Sequence, residues 1–167
     1  MSAQETIVIS VGGSLIVPDQ IDTTFLSKLK ELIVRETDLE KGRHFIIICG
    51  GGKTARQYQN AAGTVSKLTR DDLDWLGIHS TRLNAHLLRT IFQGLAHMTV
   101  IKNPLAPPRF REPVLIAAGW KPGWSTDYCA TLLASSLGAT TVLNLSDIDY
   151  VYSADPRKDP KARALPR

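Results

Sequence analysis

The chain predicts an α/β fold, a three-layer αβα sandwich built on a mostly parallel sheet, and three observations lead there. Short β-branched, apolar runs recur along the sequence and read as strands buried on both faces. Segments with apolar residues at helical spacing separate them. Two of the runs break directly into glycine turns, at the strand ends where ligands of open α/β sheets gather. The 167 residues show no internal repeat and read as a single domain, residues 1–167.

Composition narrows the function classes. At 43% apolar and 22% charged the chain is ordinary for a soluble domain. No apolar run approaches a membrane span, and Met1-Ser-Ala-Gln-Glu5 has neither the basic nor the apolar region of a signal peptide. A cytoplasmic location without a membrane partner is expected. Cys49 and Cys129 are too few for a disulfide framework and read as buried thiols. The net charge of +4 comes from scattered residues, which argues against a nucleic-acid partner and suits small anionic substrates.

The first strand is Thr6–Val11, followed at once by the turn Gly12-Gly13-Ser14, whose amides and Ser14 hydroxyl suit a phosphate. From Asp22 to about Thr37, Phe25, Leu26, Leu29, Leu32 and Ile33 recur at helical spacing behind a cap at Asp22 or Thr23. Gly42 ends the connection. The organising stretch comes next: Phe45-Ile-Ile-Ile-Cys-Gly-Gly-Gly-Lys-Thr-Ala-Arg56, a buried strand, three glycines and a helix running to about Val65. Gly50, Gly51 and Gly52 let backbone amides approach an anion, the helix N-terminus adds partial positive charge, and Lys53 and Arg56 add full charges. A Walker A reading fails because its leading glycine would fall at Ile47, and a dinucleotide fingerprint lacks its acidic residue after the next strand. A glycine-rich βα turn without ligand has the same local pattern.

The spacing predicts a long helix from Asp71 to about Gln93, with Leu73, Leu76, His79, Leu83, Leu87 and Ile91 on one face and Gly94 as its stop. Asp71, Asp72 and Asp74 either favour the helix N-terminus electrostatically or hold a sugar hydroxyl. His79 and His86 share a face without an evident third metal ligand. Met98–Lys102 reads as the third strand, the proline-rich residues 103–112 as a loop, and Pro113–Ala118 as the fourth strand.

That fourth strand runs into Gly119-Trp-Lys-Pro-Gly-Trp-Ser-Thr-Asp127, a shaped loop ahead of an apolar helix from Tyr128 to Leu137. Ser125, Thr126 or Asp127 can cap the helix. Trp120 and Trp124 suit a planar base. Thr140–Leu145 is the fifth strand, and Ser146-Asp-Ile-Asp-Tyr-Val-Tyr-Ser-Ala-Asp-Pro156 is an acidic, tyrosine-containing loop that suits a purine nucleoside or serves as a solvated turn.

Ile9-Ser-Val-Gly-Gly-Ser-Leu15, Cys49 to Arg56, Asp74-Trp-Leu-Gly-Ile-His-Ser-Thr-Arg-Leu-Asn-Ala85, Lys121 to Asp127 and Ser146 to Pro156, in this order, resemble the amino acid kinase family along the whole chain. They are most similar to its uridylate kinase branch in the archaeal form, which transfers phosphate from ATP to UMP. The resemblance implies the acetylglutamate-kinase-like sandwich, Mg2+ carried with ATP, and a homo-oligomer.

Carried over by motif, Gly12, Gly13, Ser14, Gly52, Arg56, Ser146, Tyr152 and Asp155 match ATP positions. Gly51, Asp74 and the loop Trp120, Lys121, Pro122, Gly123, Trp124, Ser125 and Thr126 match UMP positions. Asp127 matches the acid beside the place of phosphoryl transfer, and with it Arg56 and Lys53, the cations beside the second glycine turn, are the candidate catalytic residues. Tyr150 stands where the family usually has glycine, and Ser10 where many relatives have a phosphate-binding lysine. Family members continue past the position of Arg167, so the resemblance implies an ATP half without its usual C-terminal part. A non-catalytic nucleotide-binding or assembly subunit, or a sibling kinase for another small phosphorylated acceptor, are the alternatives.

Overall fold

The computed structural model describes residues 5–37, 43–148, 150, 152–154 and 159–165. Gly42 and Asp155, singled out above, lie outside the described residues, as do parts of the 146–156 loop.

The elements run β1 (Glu5–Val11), α1 (Gly13–Ile16), α2 (Thr23–Glu36), β2 (Arg43–Cys49), α3 (Gly52–Val65), α4 (Arg70–Ile91), β3 (Val114–Ala117), α5 (Thr126–Leu137) and β4 (Thr141–Leu145). Among the described residues the strands form one four-stranded sheet in the order β3-β2-β1-β4, with every pair parallel. β1 lies in the centre because the most continuous apolar runs, β1 and β2, pair over their full length, from Glu5 with Arg43 to Val11 with Cys49.

Period-two alternation divides the core into two layers. Ile9, Val11, Phe45, Ile47, Val114 and Ile116 face Leu26, Leu29 and Ile33 of α2 and Ala85 and Leu88 of α4. Val8, Ile46, Ile48, Leu115 and Ala117 face Cys129, Ala130 and Leu133 of α5. This is the three-layer αβα sandwich expected. Both cysteines are buried and unbridged, and desolvation pushes each thiol's pKa up. No helix among the described residues is long and apolar enough to cross a membrane.

Three expectations need correction. Met98–Ile101 does not form a strand; only isolated parallel bridges join Ala96 to Val114 and Ile101 to Ala117. Between them the Thr99 amide donates to His97 Nδ1 at 3.0 Å, and that local side-chain bond takes it out of the ladder. Gly13 and Ser14 open a short helix, α1, in place of an open turn. The buried stripe of α4 is Ile78, Ser80, Thr81, Asn84, Ala85 and Leu88, and Leu83, expected on the buried face, is 63% exposed.

Helix ends follow their local chemistry. Asp22 caps α2 by accepting the Phe25 amide at 2.9 Å. Thr69 and Asp72 form a capping box on α4. Ser125 caps α5 by accepting the Tyr128 amide at 3.1 Å, and Gly138, in the left-handed conformation, closes it. The last strand, β4, has Val142 and Leu143 on opposite faces, 42% and 44% exposed, whereas Val8–Val11 of β1, Phe45–Cys49 of β2 and all of β3 are buried.

Candidate functional site

The two glycine turns meet at the C-terminal edge of the sheet. The Gly12 amide donates to Leu145 O of β4 at 2.8 Å, and the Gly50 amide to Val11 O of β1 at 2.9 Å. The turns then touch each other. A Cβ on Gly13 would collide with Gly52 and stand 2.7 Å from the Gly50 carbonyl carbon, so glycine is needed here for packing. Gly52 enters α3 at φ +64°, which any Cβ would strain. Asn84 of α4 ties the second turn down: its buried Nδ2 donates to Gly50 O at 2.8 Å and to Gly51 O at 3.3 Å.

With the turns so fixed, the amides of Gly13, Ser14, Gly51 and Gly52 have no backbone acceptor among the described residues. Four donors at the start of two helices, α1 and α3, form a cradle for anionic oxygens. Two cations stand at its rim. Lys53 Nζ is engaged by Asp19 at 2.9 Å, and the exposed Arg56 is close enough to act on the same acid. The Asp19 carboxyl is held below its ordinary range, chiefly by the Lys53 hydrogen bond, then by the charges of Lys53 and, less, Arg56.

A cleft of about 180 Å³ adjoins this edge, lined by Gly51, Asp74, Lys121, Trp124 and Thr126 among the residues expected to hold the acceptor. Gln59, Gly77, Ile78, Thr81 and Gly119 line it as well, though the sequence did not mark any of them as a binding residue. Helix α4 holds the loop that roofs this cleft at three points. Asp74 Oδ2 accepts the Gly123 amide at 2.7 Å, Thr81 Oγ1 accepts the Gly119 amide at 2.8 Å, and Arg82 Nη2 donates to Trp120 O at 3.2 Å. Of the acids at the start of α4, Asp72 caps and Asp74 holds the loop.

The tryptophans do not stand free. Trp120 and Trp124 are half-buried, pack edge to face with centroids 4.9 Å apart, and lean on the core layer under α5. Lys121 Nζ sits 4.2 Å and 4.9 Å from their centroids, and Tyr128 continues the stack 4.8 Å from Trp124. The aromatics thus shape the loop and carry a cation. Pro122 and Gly123 make its tip, where Gly123 has φ +81°, and Ser125 is the helix cap.

Asp127 lies in the first turn of α5, and the buried Ser10 hydroxyl donates to its Oδ1 at 2.7 Å. That bond joins β1, two residues before the first glycine turn, to the start of α5, where the 119–126 loop ends. Ser146 follows β4 directly beside Gly12: a Cβ on Gly12 would lie 3.6 Å from Ser146 Cα. Tyr152 pairs with Ala164 in an antiparallel bridge and packs against Tyr150, centroids 6.4 Å apart. The structure therefore gathers Gly12, Gly13, Ser14, Gly52 and Ser146 at one place and Gly51, Asp74 and the 119–126 loop beside it.

The model of the amino acid kinase family matches residues 5–167. The chain is 35% identical to a uridylate kinase of Thermococcus onnurineus over 96% of its own length and 71% of that protein. It is 35% identical to the one from Pyrococcus abyssi over 95% and 70%. The crystal structure of uridylate kinase from Archaeoglobus fulgidus superposes with a TM-score of 0.71 and 28% identity, covering 94% of this chain and 71% of that one. Aspartate kinase from Synechocystis shares the fold, with a TM-score of 0.70 at 19% identity.

Proposed function

The chain belongs to the amino acid kinase family, and on that footing we propose that it is a UMP kinase, transferring the γ-phosphate of ATP to UMP to give UDP. The observation that carries this reading is the adjacency of the four-amide cradle of Gly13, Ser14, Gly51 and Gly52 to the cleft under the 119–126 loop. Phosphoryl transfer asks a protein to set two anions in line and to stabilise charge spreading over the group in flight. No nucleophile of the protein is needed.

In this mechanism Gly12, Gly13, Ser14 and Gly52 hold the phosphates of ATP, with Ser146, Tyr152 and, by its motif, Asp155 as further ATP contacts. Gly51 contacts UMP, Asp74 takes its ribose, and the loop from Trp120 to Thr126 encloses it. Arg56 and Lys53 offset charge on the transferred group, Lys53 by exchanging its Asp19 partner for phosphate. Asp127 orients a donor or cation between the two nucleotides. No group of three or more metal-ligating acids, cysteines or histidines occurs among the described residues. That donor set fits magnesium entering as part of the ATP substrate, ligated mainly by phosphate, with Asp127 as a single carboxylate nearby. The ion supplies neutralisation of phosphate charge.

With this reading go a role in pyrimidine nucleotide supply, a cytoplasmic location and a homo-oligomer. The test is ADP release from the purified protein with ATP, magnesium and either UMP, CMP, AMP or no acceptor. UMP-dependent turnover is expected. If no acceptor stimulates ADP release while UMP still raises the Tm, the binding-subunit alternative replaces the kinase; turnover with another acceptor makes it a sibling kinase.

A further inference from the structure

We propose that Arg82 is a positioning residue for the acceptor nucleotide, a latch on α4 that fixes the roof of the cleft through the backbone of the 119–126 loop. The inference rests on the UMP kinase reading. Arg82 is half-buried, its Nη2 donates to Trp120 O at 3.2 Å, and its guanidinium lies 5.9 Å from the Trp75 ring. Its Nε is buried and has no hydrogen-bond partner among the described residues. A helix that needed only a filler here would leave no charged donor half-used in a low-dielectric site, because such a group costs stability.

The place of that contact gives it a role. Trp120 is the residue between Gly119, whose amide is fixed by Thr81, and Lys121, whose ammonium is caged by the rings of Trp120 and Trp124 and lines the cleft. Gly119 packs closely against α4, since a Cβ added there would meet Thr81 Oγ1 at 2.9 Å. Arg82 therefore controls the peptide at which the loop turns from the rigid strand end to the aromatic roof. Asp74 holds the far end at Gly123. Loss of Arg82 leaves the roof attached at Gly119 and Gly123 but free to rotate at Trp120, which moves Lys121 and Trp124 relative to a bound nucleotide.

The test is kinetics and direct binding with Arg82→Met and Arg82→Lys. The Met variant is expected to raise KM and Kd for UMP about tenfold, as for one lost charge-assisted hydrogen bond. Its kcat and its KM for ATP should stay within about twofold, the split that marks acceptor binding. The Lys variant should recover part of the UMP affinity, since an ammonium can still donate to one carbonyl. Unchanged UMP binding in the Met variant overturns the proposal, and so does an equal fall in kcat, ATP affinity and Tm. If wild-type protein neither binds nor phosphorylates UMP, the kinase reading fails. The latch is then decided by acrylamide quenching of Trp120 and Trp124 emission in a Trp75→Phe background: quenching that rises with Arg82→Met supports it, and unchanged quenching overturns it.

Discussion

Asp74 Oδ2 accepts the Gly123 amide at 2.7 Å, so one carboxylate near the start of α4 holds a loop 49 residues further along the chain. Among the described residues Oδ2 carries this bond and Oδ1 has no hydrogen-bond partner, so the residue expected to take a ribose also sets the roof of the cleft. The cleft is thereby shaped before a nucleotide arrives, and the ordering cost at binding falls.

Asp74→Ala should raise the UMP KM by about ten- to a hundredfold, the range for losing a hydrogen bond to a charged group. Asp74→Asn retains an acceptor for the Gly123 amide and should lie between Ala and wild type. Steady-state kinetics with UMP varied at saturating ATP decide the order, and equal KM values in all three proteins remove Asp74 from the acceptor site.

The contact between the glycine turns predicts a structural penalty. A methyl at Gly13 has to push Gly52 and Gly50 apart, so Gly13→Ala should destabilise by roughly 3 kcal/mol, the scale of overpacking. For a chain of this size that lowers Tm by roughly 6–12 °C. Thermal unfolding followed by circular dichroism measures it. A Tm within a degree of wild type means that the turns separate more easily than their packing implies.

Acid should weaken the rim of the cradle. The Asp19 carboxyl is held below its ordinary range chiefly by the Lys53 hydrogen bond. A folded pKa below the unfolded one contributes stability that is present above the unfolded value and is lost as pH falls through the folded one. Asp19 is exposed, so the contribution is small and weakens with salt. Urea midpoints of wild type should exceed those of Asp19→Asn at about pH 6 and converge with them at about pH 2. A difference that persists in acid points to something other than this ion pair.

What the sequence disclosed depended on whether partners were local. β1 and β2 were legible because Ile7, Val8, Ile9, Phe45, Ile46, Ile47 and Ile48 are apolar without alternation, as a strand covered on both faces must be. The Met98–Ile101 run looked alike, but a histidine beside it claims the Thr99 amide. The face of α4 was misread because its buried stripe contains Ser80, Thr81 and Asn84, which hydropathy counts as solvent-facing. Their partners lie far off in sequence: Asn84 serves Gly50, 34 residues earlier, and Thr81 serves Gly119, 38 residues later. The glycine turns themselves were legible, yet the residue that holds one of them in place, Asn84, could be found only in three dimensions. A polar stripe at helical spacing beside a glycine motif was the one signal available.

Asn84 is therefore open to a direct check. Removing its amide leaves the Gly50 carbonyl buried without a donor, so Asn84→Leu should cost about 1–3 kcal/mol of stability. It should also loosen the second turn and raise the KM for ATP. Chemical denaturation and kinetics read the two effects, and a stable variant with an unchanged KM for ATP separates Asn84 from the cradle.

Arg56 and Lys53 differ in what they are free to do. Lys53 Nζ is held by Asp19 at 2.9 Å, while Arg56, one helical turn further into α3, is exposed. With no hydrogen bond or ion pair among the described residues, the Arg56 guanidinium can meet a phosphate bidentately without first breaking one. Arg56→Ala should therefore lower kcat/KM by roughly 2–4 kcal/mol, about 30- to 1,000-fold, as loss of a preorganised donor to a developing charge does. Lys53→Ala should cost less. Asp19→Asn, which releases the ammonium toward the cradle, should leave turnover unchanged or raise it. If Lys53→Ala proves the more damaging substitution and Asp19→Asn also slows the enzyme, the pair works as a unit: the carboxylate then delivers the lysine to the phosphate, and Arg56 serves binding alone.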